Sequence, residues 1–330
     1  MYKISKKSEY FLYKYLNAYS PTVDAQKIWM KYIEQYSDSI ETDNYGTVVG
    51  VINQKNTFKI VIEAHVDEMT WYVNYITDDG IIYVALNGRG RPLTHSKRVN
   101  IHTKNGIIDG LLPYKTPTFI DIGASNKKEV ENLGVNVGCM VTYPDDFFIM
   151  NNKYFVGRAL YNKIGGFIIA EVMRLIKEKN VVLPYGLYVR NSVQVGNNIN
   201  PNIAIITDVC HDTSIFDKKI NGEVKSGLGP VINYSPSIHN NLREQIIFIA
   251  NKNNLSFQRL VSPSPPPLCT DAYYNNGVIS ALISIPIRYM NTTVEMANKK
   301  DIENCIHLMF EILKNIDINE NFKYLENHLS

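Results

Sequence analysis

A chain of 330 residues favours two domains over one and leaves ample length for a sizeable core. Hydrophobic residues at 45%, charged residues at 20% and a formal net charge of +2 mark an ordinary globular protein and argue against nucleic acid or a membrane surface as its main partner. Four unpatterned cysteines (Cys139, Cys210, Cys269, Cys305), no apolar leader after Lys7 and no membrane-length apolar run lead us to expect a reduced, cytoplasmic protein.

Tyr10 to Tyr19 is apolar at helical spacing, Ser20-Pro21 breaks it, and Asp24 is placed to cap a second helix through Ile28, Trp29 and Tyr32. Asn44-Tyr45-Gly46 turns into a strand from Thr47 to Ile52. The run from Lys59 has no alternation, as in a strand buried on both faces. From Met69 to about Met150 short β-rich runs recur: Thr70 to Ile76, Ile81 to Leu86, Arg98 to His102, Ile107 to Leu112, Met140 to Tyr143 and Phe147 to Met150. Turn sequences such as Asp78-Asp79-Gly80 and Lys104-Asn105-Gly106 separate them, and only Lys127 to Leu133 reads as helix. After Arg158 strand and helix alternate again: helix from Gly165 to Lys179, strands at Tyr188 and from Ile203 to Val209, helix from Leu242 to Asn251, strand from Val278 to Ile285, helix from Ile302 to Ile316.

This pattern predicts an α/β domain with a central, mainly parallel sheet flanked by helices, formed by residues 1–68 and 152–330, and a small β-barrel-like domain inserted at residues 69–151. Ser262-Pro263-Ser264-Pro265-Pro266-Pro267 reads as a stiff, extended loop.

Ligands of open α/β sheets gather beyond the carboxyl ends of the strands. Three buried runs end in polar clusters there: His65-Val66-Asp67-Glu68, Asp208-Val209-Cys210-His211-Asp212, and Arg288-Tyr289-Met290-Asn291 followed by Glu295. His65 with Asp67 two residues on has two readings. It is a satisfied strand-end turn, or a metal-ligating imidazole whose second nitrogen a carboxylate holds. Asp208 is likewise a cap for the next element or a ligand.

The string Val61-Ile62-Glu63-Ala64-His65-Val66-Asp67-Glu68 resembles the first metal-binding motif of the tetrahedral (glutamyl) aminopeptidases, a family whose members also carry the names endoglucanase and cellulase M. Asp121-Ile122-Gly123-Ala124, Gly157-Arg158-Ala159-Leu160, Asn162-Lys163-Ile164-Gly165-Gly166, Pro201-Asn202-Ile203-Ala204, Gly227-Leu228-Gly229-Pro230, Thr270-Asp271-Ala272 and Pro286-Ile287-Arg288-Tyr289-Met290 follow in family order along the whole chain. The resemblance implies a zinc-exopeptidase-like fold and a cytosolic metallo-exopeptidase that removes N-terminal residues from peptides. It also implies assembly through the inserted domain into a homo-oligomer, a dodecamer in the family. Two divalent ions, zinc or cobalt, would share a bridging aspartate and activate a water, with a glutamate as general base.

Carried over position by position, the resemblance assigns His65 and Asp208 to one ion and Asp67 to orienting His65. The bridging aspartate should precede Asn162, where Tyr161 stands; the last histidine should follow Met290, where Asn291 stands. The run Asn191-Ser192-Val193-Gln194-Val195-Gly196 lacks the two glutamates that should include the general base. A catalytic zinc normally takes three protein ligands, so Asp212, His211 or Glu68 would have to join the remaining pair. The expectation is therefore a family member without effective catalysis. The alternative is an aminopeptidase with a remodelled or single-metal centre. Glycoside hydrolysis would need two carboxyls roughly 5–9.5 Å apart across a cleft, and no pair is singled out. His95, Lys97 and Arg98 are either a solvated loop or part of an assembly edge, and Trp29 and Trp71 read as core or interface aromatics.

Overall fold

A computed structural model describes residues 2–21, 23–86, 96–113, 118–144, 146–193, 199–216, 218–261, 268–320 and 322–324. His95, the stretch from Gln194 to Asn198 and the proline-rich segment 262–267 lie outside the described residues, as does the side chain of Cys269.

The chain builds an α/β fold with two sheets. In the larger, four strands run parallel in the order Gly186–Ser192, Lys59–His65, Ile203–His211, Ile279–Arg288. Alternation sorts their side chains between two faces. Ile60 and Ile62 face a core shared with the helices Leu160–Glu178 and Lys299–Asn315, whereas Val61 faces a second cluster with Tyr188, Ile206 and Tyr273. Antiparallel strands extend the sheet at both ends, so it is mixed, with its parallel character confined to the centre. Burial on both faces explains the apolar runs that were readable in sequence; the flanking strands Ser39–Thr42 and Glu295–Asn298 mix polar with apolar residues, and Tyr154–Gly157 is apolar but only four residues long.

The helix Leu160–Glu178 seats deeply because of Gly165. A Cβ there would meet the Thr207 carbonyl oxygen at 2.8 Å and the Ala64 Cβ at 2.9 Å, so only glycine lets the helix start approach the ends of two parallel strands. The helix begins at Leu160, one turn before the expected Gly165, because a carboxylate from elsewhere in the fold receives its first N–H groups. Asp24 does not cap the second helix; Val23 occupies that position with a left-handed φ of 58°, and Asp24 is the first helical residue.

The six-stranded sheet draws all its strands from between Trp71 and Thr142. Backbone hydrogen bonds exchanged between Leu111 and Asp121 join its first and last strands, giving a nearly closed barrel. Val99, Ile101, Leu112, Ile120 and Val141 are completely buried inside it, and Trp71 packs edge-on against Tyr143. Phe148–Met150, expected to belong with this unit, instead pairs with Tyr154–Gly157 in the large sheet. Asn151 and Asn152, with φ of 52° and 53°, supply the two left-handed residues that a tight hairpin needs. Lys97 and Arg98 are exposed at the start of the barrel strand Lys97–Thr103, and Trp29 is fully buried with its indole N–H on the Gly166 carbonyl at 2.8 Å.

Candidate active site

The strands Lys59–His65 and Ile203–His211 pair from Ile60 with Ile203 to Glu63 with Ile206, then part. The strand from Ile203 holds to its other neighbour through His211, so the gap opens on one side only, where Lys59–His65 ends. Strands added to either side of Lys59–His65 make this a topological switch point, the usual place for a ligand in such sheets. Alternation brings Val61, Glu63 and His65 to one face, with Asp208 beside them across the gap.

His65 lies between two carboxylates. Its Nε2 is 3.6 Å from Asp208 Oδ1 and its Nδ1 is 3.5 Å from Asp67 Oδ1. Burial disfavours the imidazolium, but the contacts and charges of Asp208 and Asp67 outweigh it and raise the His65 pKa to about 10. Two donors on adjacent corners of a tetrahedral zinc sit roughly 3.3–3.4 Å apart. The Nε2–Oδ1 spacing therefore fits one ion, which would displace the proton, with Asp67 behind the ring.

The remaining positions do not fit a second ion. Tyr161 packs its ring 6.1 Å from that of His65, and its hydroxyl accepts the Met69 N–H at 2.7 Å. Burial, with the neighbouring Glu68 charge, pushes the phenol well above its ordinary pKa, so with no ion bound it is a neutral group at the position where the resemblance expects a carboxylate. Asn291 sits in the left-handed region with φ 64°, and a neutral amide is a poor substitute for an imidazole.

Nor does the structure bring the three possible replacements to the pair. Glu68 contacts the Arg158 guanidinium and lies 3.6 Å from Lys163 Nζ; burial opposes its charge, but those two cations win and hold its pKa low. Asp212 accepts the Ser214 and Ser226 N–H groups at 2.8 and 3.0 Å and Arg288 Nε at 2.9 Å. His211 is exposed, edge-on to Phe216. Among the described residues, no three His, Cys, Asp or Glu side chains are gathered so that they could hold an ion.

Two carboxylates had no assigned role in the sequence reading. Glu295 is wholly buried; its oxygens accept the Tyr161 N–H at 2.9 Å and the Asn291 N–H at 2.6 Å. Burial raises its pKa to about 8, against the stabilising backbone donors Tyr161, Asn291 and Leu160. Glu63, one layer below His65, takes the Tyr273 hydroxyl and lies 3.8 Å from Arg190 Nε. Glu63 stands out as a charged residue within an otherwise apolar strand, whereas Glu295 heads a short strand with no such run around it.

Comparison with known proteins agrees with this architecture. Residues 46–308 match the M42 glutamyl aminopeptidase family, and the chain belongs to it. Its members are divalent-metal-dependent peptidases. The lysyl aminopeptidase of Pyrococcus furiosus is 28% identical over 317 residues, covering 86% of this chain and 89% of that protein. The TET aminopeptidase of a marine-sediment Thaumarchaeota archaeon superposes with a TM-score of 0.88 at 24% identity, covering 95% and 98% of the two chains. The Pyrococcus horikoshii TET1 peptidase, described as able to assemble into a tetrahedron or a large octahedral shell, gives 0.77 at 23% identity over 87% and 92%.

Proposed function

We propose that this chain is a catalytically silent or strongly impaired member of the aminopeptidase family. Tyr161 carries the reading. Its phenol stands directly before Asn162, where the resemblance expects a bridging aspartate, and its hydroxyl is engaged by the Met69 N–H. A neutral phenol has no negative charge to bridge two ions, so the paired centre that would hold the attacking water is not formed. Asn291 in place of a histidine and the absence of both expected glutamates after Ser192 point the same way.

The test is metal analysis of the purified full chain paired with hydrolysis of leucyl-, glutamyl- and lysyl-anilides. Fewer than two tightly bound ions and no turnover are expected; two zinc or cobalt ions per chain with turnover would sink the reading. A second reading, an aminopeptidase with a single-metal centre, is favoured by the spacing of His65 and Asp208. It requires one ion per chain and turnover that disappears in His65→Ala.

The rest of the reading concerns assembly. Residues 1–68 with 148–330 form the peptidase-like unit, and the strands between Trp71 and Thr142 form an inserted unit through which a cytoplasmic homo-oligomer, up to a dodecamer, assembles. A separate apolar core in the barrel and the shells described for the TET relative support this. Peptides, and not nucleic acid or membrane, are the ligand class; no helix among the described residues is long and apolar enough to cross a membrane. A monomer in mass photometry at micromolar concentration would end the assembly proposal.

A further inference from the structure

Successive residues at the start of the helix Leu160–Glu178 grip the segment that follows His65. The Tyr161 hydroxyl accepts the Met69 N–H at 2.7 Å, and the Asn162 side chain donates to the Val66 carbonyl at 2.6 Å. On the opposite side, the Tyr161 N–H and the Asn291 N–H converge on the two oxygens of Glu295. One buried carboxylate thus joins the two positions at which the resemblance expects ion ligands.

The backbone around this junction is strained. Ala159, Tyr289 and Asn291 hold φ of 57°, 58° and 64°. Left-handed backbone is uncommon outside glycine and unfavourable for an aromatic such as Tyr289, so it persists only where the surroundings over-determine it. Glu295 supplies that constraint by tying the turn to the helix start, whose first N–H groups have no partner within the helix.

We propose that Tyr161 and Glu295 form an ion-independent clasp. Hydrogen bonds among the chain's own groups hold the 66–69 segment and the 289–291 turn against the helix start, a task that shared ligation would perform in a two-ion centre. The inference rests on the reading that the second ion's ligands are lost. It adds that the tyrosine is a positioning residue, so that the site keeps its shape with no ion bound.

The test uses the full chain, exhaustively treated with EDTA or supplemented with zinc, followed by thermal unfolding and residue-resolved amide exchange. In the wild type, exchange of the Met69, Tyr161 and Asn291 amides should be the same in the two conditions. Tyr161→Phe keeps the ring and removes only the hydroxyl. It should speed exchange of the Met69 amide about tenfold and lower the midpoint by about 2–4 °C. The Val66 amide, which donates to the Ser192 carbonyl, should be unaffected. Glu295→Gln should speed exchange at Tyr161 and Asn291 and leave Met69 protected. Exchange at Met69, Tyr161 or Asn291 that quickens in EDTA overturns the clasp, as does Met69 exchange that ignores Tyr161→Phe. Peptide turnover by the wild type would instead refute the silent reading, while a Met69 response would still uphold the clasp.

Discussion

The two halves of the site have been spent differently. Around His65, side chains face an opening in the sheet: Asp67 is 54% exposed, and the imidazole and Asp208 about a fifth exposed each. Around Glu295, by contrast, the polar groups are turned inward onto backbone N–H donors, and the carboxylate is completely buried. The first half retains groups that can exchange a proton for an ion. The second contributes to holding the fold together. Under the proposed reading, hydrogen bonds take the place of ligation on one side of the site and keep its frame ordered.

Replacing Glu295 by alanine is the most severe way to break this contrast. Buried N–H groups of Tyr161 and Asn291 would lose their acceptor at once, and we expect a loss of about 3–5 kcal/mol in urea unfolding. A loss below about 1 kcal/mol would show that the inward half is not structural. Gly165→Ala attacks the seating that both halves share. Its Cβ would press on Thr207 and Ala64, next to Asp208 and His65, and about 2 kcal/mol should disappear.

Acidity separates the halves in a different way. The Glu295 pKa is raised from 4.5 to about 8, so the folded state favours the neutral acid; this stability is complete below about pH 4.5 and is lost as pH rises through about 8. The His65 pKa is raised from 6.5 to about 10, so its contribution is complete below about pH 6.5 and is lost through about pH 10. Comparing unfolding of wild type and Glu295→Gln from pH 5 to 9 should flatten the lower window only; parallel curves would contradict the assignment. The smallest effect is local. Asp208→Asn should lower the His65 pKa, seen in the imidazole NMR titration. An unmoved titration would mean that Asp208 does not act on the ring.

Much of this was legible in the sequence because it depends on local pattern. Continuous apolar runs announced the central strands, and His65 and Asp208 stood out as polar residues attached to such runs. The tyrosine before Asn162 was legible only against the family pattern, while its hydroxyl's partner, Met69, lies far away in the chain. Glu295 was opaque for the same reason. Its donors are main-chain N–H groups, which carry no residue signature, and those of Leu160 and Tyr161 come from a helix whose own first residues offer no cap. The hairpin at Asn151-Asn152 was missed because paired left-handed asparagines are weaker punctuation than Asn-Gly.

The placement of Lys59–His65 at the switch point also sets an order of events during synthesis. Its two sheet neighbours begin only at Gly186 and Ile203, whereas every strand of the barrel is complete by Thr142. At roughly 5–20 residues per second of translation, the strand that carries His65 waits on the order of ten seconds for partners while the barrel can already close. During that interval an apolar strand with both edges unpaired is open to chaperones and to other nascent chains.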